Sequence, residues 1–383
     1  MKRVFFLCVA ILCIATLSVQ PSLPKSIKIY AHEAGVERAG HIQGIAVDSD
    51  RSHIYVSFTT LLVKLDMQGN VIGSVTGLLG HLGCLEFNDA DGRLYGSLEY
   101  KNDAIGRDIL RQEGAKSIEN GFYVAIFDVE KIDRKGMSAE RDGIMTTVLL
   151  KTVLDDYLGK VTTPQGTTVS HRYGCSGFDG VSFGPSFDGK SRDNMLTIAY
   201  GIYGDNNRND NDYQVLLQYD TSRWGRYETT LSQSNMHRNG PDKPDGRYFV
   251  YTGNTTWGVQ NMEYDKTSNR WLLATYAGRK SHFANYTLFV IDGSKRATRT
   301  TLVGYDTYHR YGKTLHLAEG GDTDPLNPTI RGWHNEHGAY GICALGDNLF
   351  YIASGGKDER GNYGVLHLAN FVGSTTEAFR IIE

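Results

Sequence analysis

The chain has 383 residues, 40% hydrophobic and 22% charged, with 40 basic and 43 acidic side chains for a formal net charge of −3. That composition supports a large core and excludes a disordered chain or a coiled coil. With no net positive field, nonspecific nucleic-acid binding is excluded as a default partner mode. Glycine is abundant (44), proline scarce (8), and tyrosine (23) outnumbers phenylalanine (15) and tryptophan (4). Many short strands joined by glycine turns give this profile; helical bundles do not.

At the N-terminus, Lys2 and Arg3 precede an apolar run from Val4 to Leu17. The run is too short to cross a bilayer comfortably and has the layout of a signal peptide. The expectation is a signal segment over residues 1–20, cut near Ser18 to Gln20, and one exported domain over 21–383, periplasmic or extracellular. Cys8 and Cys13 lack the small preceding residue of a lipoprotein signal, so no lipid anchor is expected. No second stretch could span a membrane. Cys84, Cys175 and Cys343 remain, which allows one disulfide and a free thiol or three buried thiols.

The first strand set is Gly44–Asp48, His53–Ser57, Leu61–Asp66 and, after the turn Gln68-Gly69-Asn70, Val71–Thr76. The pattern recurs loosely. A second set starts at Gly83-Cys84-Leu85-Glu86-Phe87 and continues with Arg93–Glu99, Phe122–Asp128 and Ile144–Leu150. A third starts at Asp179-Gly180-Val181-Ser182-Phe183, with Met195–Ile202, Val215–Asp220 and Tyr227–Leu231. A fourth starts at Gln260-Asn261-Met262-Glu263-Tyr264, with Trp271–Tyr276, Tyr286–Asp292 and Arg299–Val303. A fifth starts at Tyr340-Gly341-Ile342-Cys343-Ala344, with Phe350–Ala353, Val365–Leu368 and Phe379–Ile382. A spare strand, Ile27–His32, is placed to close the last set. The spacing predicts an all-β propeller of five four-stranded blades. Each blade is longer than a bare four-stranded unit, so six or seven blades stay open.

The first set resembles a blade of the NHL and SMP-30/gluconolactonase type of β-propeller. The resemblance implies architecture. The metal-binding Glu of SMP-30 proteins, in a Glu-Gly-Pro setting, has no counterpart near blade one, where the chain reads His41-Ile42-Gln43-Gly44. No catalytic residue is carried over.

On this blade assignment, segments 151–174, 232–256 and 304–336 are inter-blade links, and 100–120 and 203–212 join second to third strands. All five then fall on one face, around the channel mouth, where long loops on a rigid scaffold usually carry function. Three His-Arg pairs lie in these links: His171-Arg172, His237-Arg238 and His309-Arg310. Two of them belong to the tetrapeptide His-Arg-Tyr-Gly. Arg offers a planar fork for carboxylate, His transfers protons near neutral pH, and Tyr can act as partner acid or base. Such a set suits β-elimination of uronate polysaccharides. The expected proton-transfer groups are His171, Tyr173, His309, Tyr311 and His337, with Arg172, Arg238 and Arg310 holding the substrate carboxylate.

A second constellation is the residue before each first-strand core: Gln43, Gly83, Asp179, Gln260 and Tyr340. Period-two geometry aims these at the channel mouth. The four polar ones, Gln43, Asp179, Gln260 and Tyr340, with His41, His81 and the stacking platform Trp257, are the expected substrate-binding residues. Polar channel residues that merely hold water are the competing reading. A third constellation is the loop 205–212, where Asp205, Asn207, Asp210 and Asp212 offer oxygens to calcium. It lacks the glycine and terminal Glu of an EF-hand, Arg208 interrupts it, and a solvated hairpin loop competes. His334, Glu336 and His337, joined by His41 or His81 across the channel, would be an alternative metal set. No HExxH, paired CxxC, GxSxG elbow, P-loop or Rossmann fingerprint stands in a suitable context.

Three functions follow in order: an exported carbohydrate-active enzyme on an anionic, uronate-containing glycan, by lyase or glycosidase chemistry; a metal-dependent hydrolase or lactonase of SMP-30 style; and a non-catalytic glycan- or protein-binding propeller. The expected partner is an anionic oligo- or polysaccharide, with no nucleic acid. The expected state is a monomer. The cofactor is open, a divalent metal such as calcium being the candidate.

Overall fold

Period-two alternation dominates the chain and becomes five antiparallel sheets around a central channel in the computed structural model, which describes residues 23–112, 114–163, 165–190, 193–253, 255–305 and 309–383. The expected signal segment 1–20 lies outside the described residues. Among the described residues, no helix is long and apolar enough to cross a membrane.

Blade one is Ile42–Val47, His53–Phe58, Leu61–Asp66 and Val71–Thr76, paired in chain order. Blade two is His81–Asn88, Arg93–Tyr100, Gly121–Phe127 and Met145–Leu149. Blade three is Cys175–Gly184, Met195–Ile202, Tyr213–Asp220 and Gly246–Tyr251. Blade four has three regular strands, Thr256–Asp265, Arg270–Tyr276 and Leu288–Asp292. Its outer edge is covered by two short bridges, at Leu317 and Trp333. Blade five is Ile342–Gly346, Leu349–Asp358 and Gly361–Phe371. The five first strands touch one another in cyclic order, which closes the ring.

The ring is latched by both ends of the described chain. Ser26–Tyr30 pairs antiparallel with Tyr363–His367, and Phe379–Ile381 pairs with Ala369–Phe371 on the same outer edge. Ile27 and Ile29 point into the core and are buried. The spare N-terminal strand thus takes part of the fourth position of blade five.

Two strand assignments differ from the sequence expectation. Thr229–Thr230 leaves blade three and pairs with Thr146–Thr147 outside blade two, and Gly246–Tyr251 is the fourth strand of blade three. Thr298–Thr301 forms a hairpin with Tyr311–Thr314, and the hairpin packs on blade three, not blade four. The reason is burial. Tyr248, Phe249 and Val250 are fully buried apolar residues, whereas the Thr229 and Thr298 segments are polar and largely exposed.

These shifts change where the insertions go. Segments 221–245 and 293–305, and then 309–314, follow the third strands of blades three and four, and their short strands pair outside blades two and three. The helix Ala104–Gln112, the 150–174 link with its helix Lys151–Leu158, and the 203–212 loop remain on one face. The expectation that all five insertions ring one mouth does not hold.

The first strands carry the feature that builds the site. In blades one, three and four the ladder skips one residue: Gln43 between Ile42 and Gly44, Asp179 between Phe178 and Gly180, Gln260 between Val259 and Asn261. In blade two the extra residue falls within Gly83-Cys84. A β-bulge leaves one residue unpaired and re-aims its side chain. Repeated at one height in four blades, it turns polar residues toward the axis.

Candidate functional site

The bulges open into a cavity of about 270 Å³ at the channel mouth, lined by His41, Gln43, Thr59, His81, Lys101, Asp179, Trp257, Gln260 and Tyr276, among others. The helix Ala104–Gln112 forms one wall through Ile105, Asp108, Ile109 and Gln112. His41, Gln43, His81, Asp179, Trp257 and Gln260, chosen from sequence as substrate-binding, are brought together here. Tyr340 stands behind them, in ring contact with His41 at 5.3 Å and with Tyr276 at 6.1 Å.

Asp179 is central. His81 Nδ1 faces its Oδ1 at 3.5 Å, and Gln260 Nε2 donates to its Oδ2 at 3.4 Å. Gly83 makes room: a Cβ there would lie 2.7 Å from Asp179 Oδ1 and 2.4 Å from Ser97 Oγ. Burial pushes the Asp179 carboxyl up, but the His81 contact and the Lys101 charge outweigh it and hold its pKa below the ordinary value. A carboxylate facing Nδ1 favours the tautomer that leaves Nε2 as a proton acceptor.

Beneath Asp179 lies an ion pair that the sequence reading missed. Lys101 Nζ sits 2.6 Å from Glu99 Oε2 and donates to Ser176 O at 3.2 Å. Glu99 Oε1 accepts the backbone N–H of Phe178. Burial raises the Glu99 pKa to about 7 against the opposing Lys101 charge. For Lys101 burial is the largest influence and lowers the pKa, yet the charges of Glu99 and Asp179 reverse it, so the ammonium stays charged. The available signal is Glu99-Tyr100-Lys101 at the end of a strand, where alternation puts both charges on one face.

His41 is held neutral by burial, with Nδ1 bonded to Ile42 O at 2.9 Å and Gln43 Nε2 near its Nε2 at 3.3 Å. The Tyr276 phenol is pushed well up by burial and by Tyr340, so it keeps its proton. Trp257 has φ 64 and is 41% exposed at the rim. A large aromatic held in a left-handed conformation beside a polar cavity is a strain that function can explain. His81, Glu99 and Asp179 offer one ligand atom each, all within 4.8 Å of one another, so together they could hold a metal. Lys101 already neutralises part of that charge.

The His-Arg pairs go elsewhere. Arg172 pairs at 3.1 Å with Asp156, a carboxylate in helix Lys151–Leu158 that also takes Arg247 and the Tyr200 hydroxyl. His171 Nδ1 bonds to Tyr157 O at 2.6 Å, and its ring lies on Tyr203. Tyr173 is 3% exposed and packs against His309, Phe249 and Tyr305. His309 and Tyr173 therefore meet, but in the packing of blade three rather than at the channel. Tyr311 stands 48% exposed on the outer hairpin, next to Arg310. His237 and Arg238 lie on the outside of blade two, where Arg238 pairs with Glu119. His337 packs on His367 of blade five. The proton-transfer set expected from sequence is not assembled at one place.

Two carboxylates of the expected calcium loop have cationic partners, one from the loop itself and one from outside it. Arg208 pairs with Asp210 at 2.8 Å, and Lys280 with Asp212 at 2.6 Å. Asp205 caps the N–H of Asn207 at 2.8 Å. Of the four expected calcium donors, Asp210 and Asp212 thus already have cationic partners, while Asp205 and Asn207 have none among the described residues. Cys84, Cys175 and Cys343 are all free and buried, which settles the choice against a disulfide among them.

No protein-family model matches the chain, and no curated protein sequence matches it. Solved structures that it resembles include the PQQ domain of pyranose dehydrogenase from Coprinopsis cinerea (11% identity, TM-score 0.34, spanning 87% of this chain and 83% of that one). The Dos1 propeller matches at 12% identity and TM-score 0.28, over 89% of this chain and 81% of that one. The Pan2 WD40 domain of Neurospora crassa matches at 8% identity and TM-score 0.33, over 85% and 75%. The propeller fold stands on the sheets themselves, and no NHL or SMP-30 family match accompanies it.

Proposed function

We propose that this chain is an exported carbohydrate-active enzyme that takes one 4-O-linked uronate residue of an anionic glycan into the channel-mouth cavity and cleaves the linkage at its O4 by β-elimination. The observation that supports this is the convergence of His81, Lys101, Asp179, Gln260 and Tyr276 on one cavity beneath an exposed Trp257. At about 270 Å³ it lies just below the ~300–1,000 Å³ of drug-sized ligand pockets and has room for one sugar ring.

The roles follow from the chemistry. The Lys101 ammonium neutralises the uronate carboxylate, which acidifies the C5 proton. His81 Nε2, oriented by Asp179, removes that proton. The C4–O bond breaks as the C4–C5 double bond forms, and the Tyr276 hydroxyl protonates the departing oxygen. Trp257 stacks on the sugar face. Two-carboxylate hydrolysis is less suited: Asp108, the other carboxylate lining the cavity, is exposed and paired with Arg111.

The test is the purified mature chain with acidic oligo- and polysaccharides, following unsaturated-uronate absorbance and reducing ends, with and without chelator. Unsaturated product that survives chelation supports elimination. Reducing ends alone would contradict it. The second reading, a metal-dependent hydrolase using His81, Glu99 and Asp179, predicts turnover abolished by chelation. Saccharide binding without turnover would leave a binding propeller.

A further inference from the structure

The opposite end of the channel has its own cavity, of about 500 Å³, to which all five blades contribute. Its inner end is formed by Glu86 of blade two and Glu263 of blade four. Each carboxylate is fixed by the next blade: Glu86 Oε1 accepts the N–H of Phe183 at 3.3 Å, and Glu263 Oε1 accepts the N–H of Ala344 at 2.7 Å. Both side chains line this one cavity, and each carboxyl group feels the other. Glu263 is 5% exposed, and its Oε2 has no hydrogen-bond donor among the described residues. Its neighbour there is another carboxylate.

Carboxyl groups this buried and this close must hold either a proton or a cation. Burial raises both, Glu86 to about 8 and Glu263, where repulsion by Glu86 adds to it, well above the ordinary value, and a divalent cation would displace the protons. The basic side chains lining the cavity among the described residues are Arg51 and Lys266. Arg51 donates to Leu345 O, and Lys266 lies 3.7 Å from Asp89. Asp89, Asp193 and Asp347 add negative charge at the rim. Such a field concentrates cations at the mouth.

We propose that this lower channel mouth is a divalent-cation site, with calcium held between the carboxylates of Glu86 and Glu263. The donors are oxygens and the cavity is wide enough for retained waters, which suits a hard cation of flexible coordination. Because backbone N–H groups of the neighbouring blades already hold both carboxylates, binding requires little reordering. The ion ties blades two and four across the axis. Its place and its partners are independent of the cavity at the other mouth.

The experiment uses terbium as a luminescent calcium mimic on the whole mature chain. Tyr264 lines the cavity and lies 4.8 Å from Trp271, ring to ring, so both can sensitise a bound lanthanide. The expected result is saturable emission on aromatic excitation, displaced by calcium, and at least tenfold weaker binding in the Glu86→Gln, Glu263→Gln double variant. Calcium should also raise the melting temperature of the wild type by several degrees and leave that of the double variant unchanged. No sensitised emission in the wild type, or undiminished emission in the double variant, overturns the proposal. Should the double variant not fold, Glu263→Gln alone is judged by the same two readouts.

Discussion

At the scale of single residues, partners decide what a side chain can do. Arg172 and Lys101 are both held by a buried carboxylate, yet Asp156 holds Arg172 on the blade-three side, while Glu99 holds Lys101 at the wall of the channel cavity. His309 is a packing residue. Burial, then the charge of Arg247, holds its pKa below the ordinary 6.5. The unfolded chain takes up the proton first, so this contribution to stability is full above about pH 6.5 and is lost as pH falls through the folded pKa. His309→Phe keeps the ring against Tyr173 and Phe249 and removes the titration. It should move the acid-unfolding midpoint to lower pH, read by circular dichroism, with turnover retained. At the cavity rim, Trp257→Ala should weaken saccharide affinity about tenfold, or about 1.4 kcal/mol. Isothermal titration with an acidic oligosaccharide reads this, and unchanged affinity would remove Trp257 from the site.

At the scale of elements, the bulged first strand is the unit that makes the site. Gln43, Asp179 and Gln260 were legible because each precedes a short Gly- or Asn-led apolar run, and period two aims that residue inward. The partners beneath them were not legible. Glu99 and Lys101 come from a second strand, and only the fold puts them under Asp179. The outer strands were misread for a related reason. Chain order favours the nearest alternating segment, Tyr227–Leu231, whereas burial selects Gly246–Tyr251 after a detour of some two dozen residues. The His-Arg pairs were visible as a pattern, but nothing local marks Asp156 as the partner of Arg172. The bulge account makes a sharp prediction for Gly44. A Cβ there would meet backbone atoms of Gly83, Cys84 and Leu85 at 2.9–3.0 Å. Gly44→Ala should therefore cost about 1–3 kcal/mol, measured by urea unfolding. An unperturbed midpoint would show that blades one and two are not packed as tightly as described.

At the scale of the whole molecule, ring closure and burial set stability and reactivity. Ile29 is fully buried in the latch strand and Ile27 nearly so. Ile29→Ala should cost about 2–5 kcal/mol, read as a lower thermal midpoint, because it loosens the contact that joins blade five to the N-terminal strand. The three thiols are the converse case. Burial pushes Cys84 up to about 12 and Cys175 and Cys343 well above the ordinary thiol value. Thiolate, not thiol, is the reactive form. All three should therefore resist a thiol-specific reagent until denaturant is added, and rapid native-state labelling would contradict their placement.

The claim on which the function rests is that chemistry happens at the channel mouth and not at the His-Arg loops. Turnover of acidic oligosaccharides by four proteins tests it most directly: wild type, His81→Gln, Asp179→Asn and His309→Phe. The account predicts that His81→Gln and Asp179→Asn lose activity by about 10²-fold or more while still folding, and that His309→Phe stays within a few-fold of wild type. Activity lost in His309→Phe and retained in the two channel variants would contradict it and return the site to the outer loops.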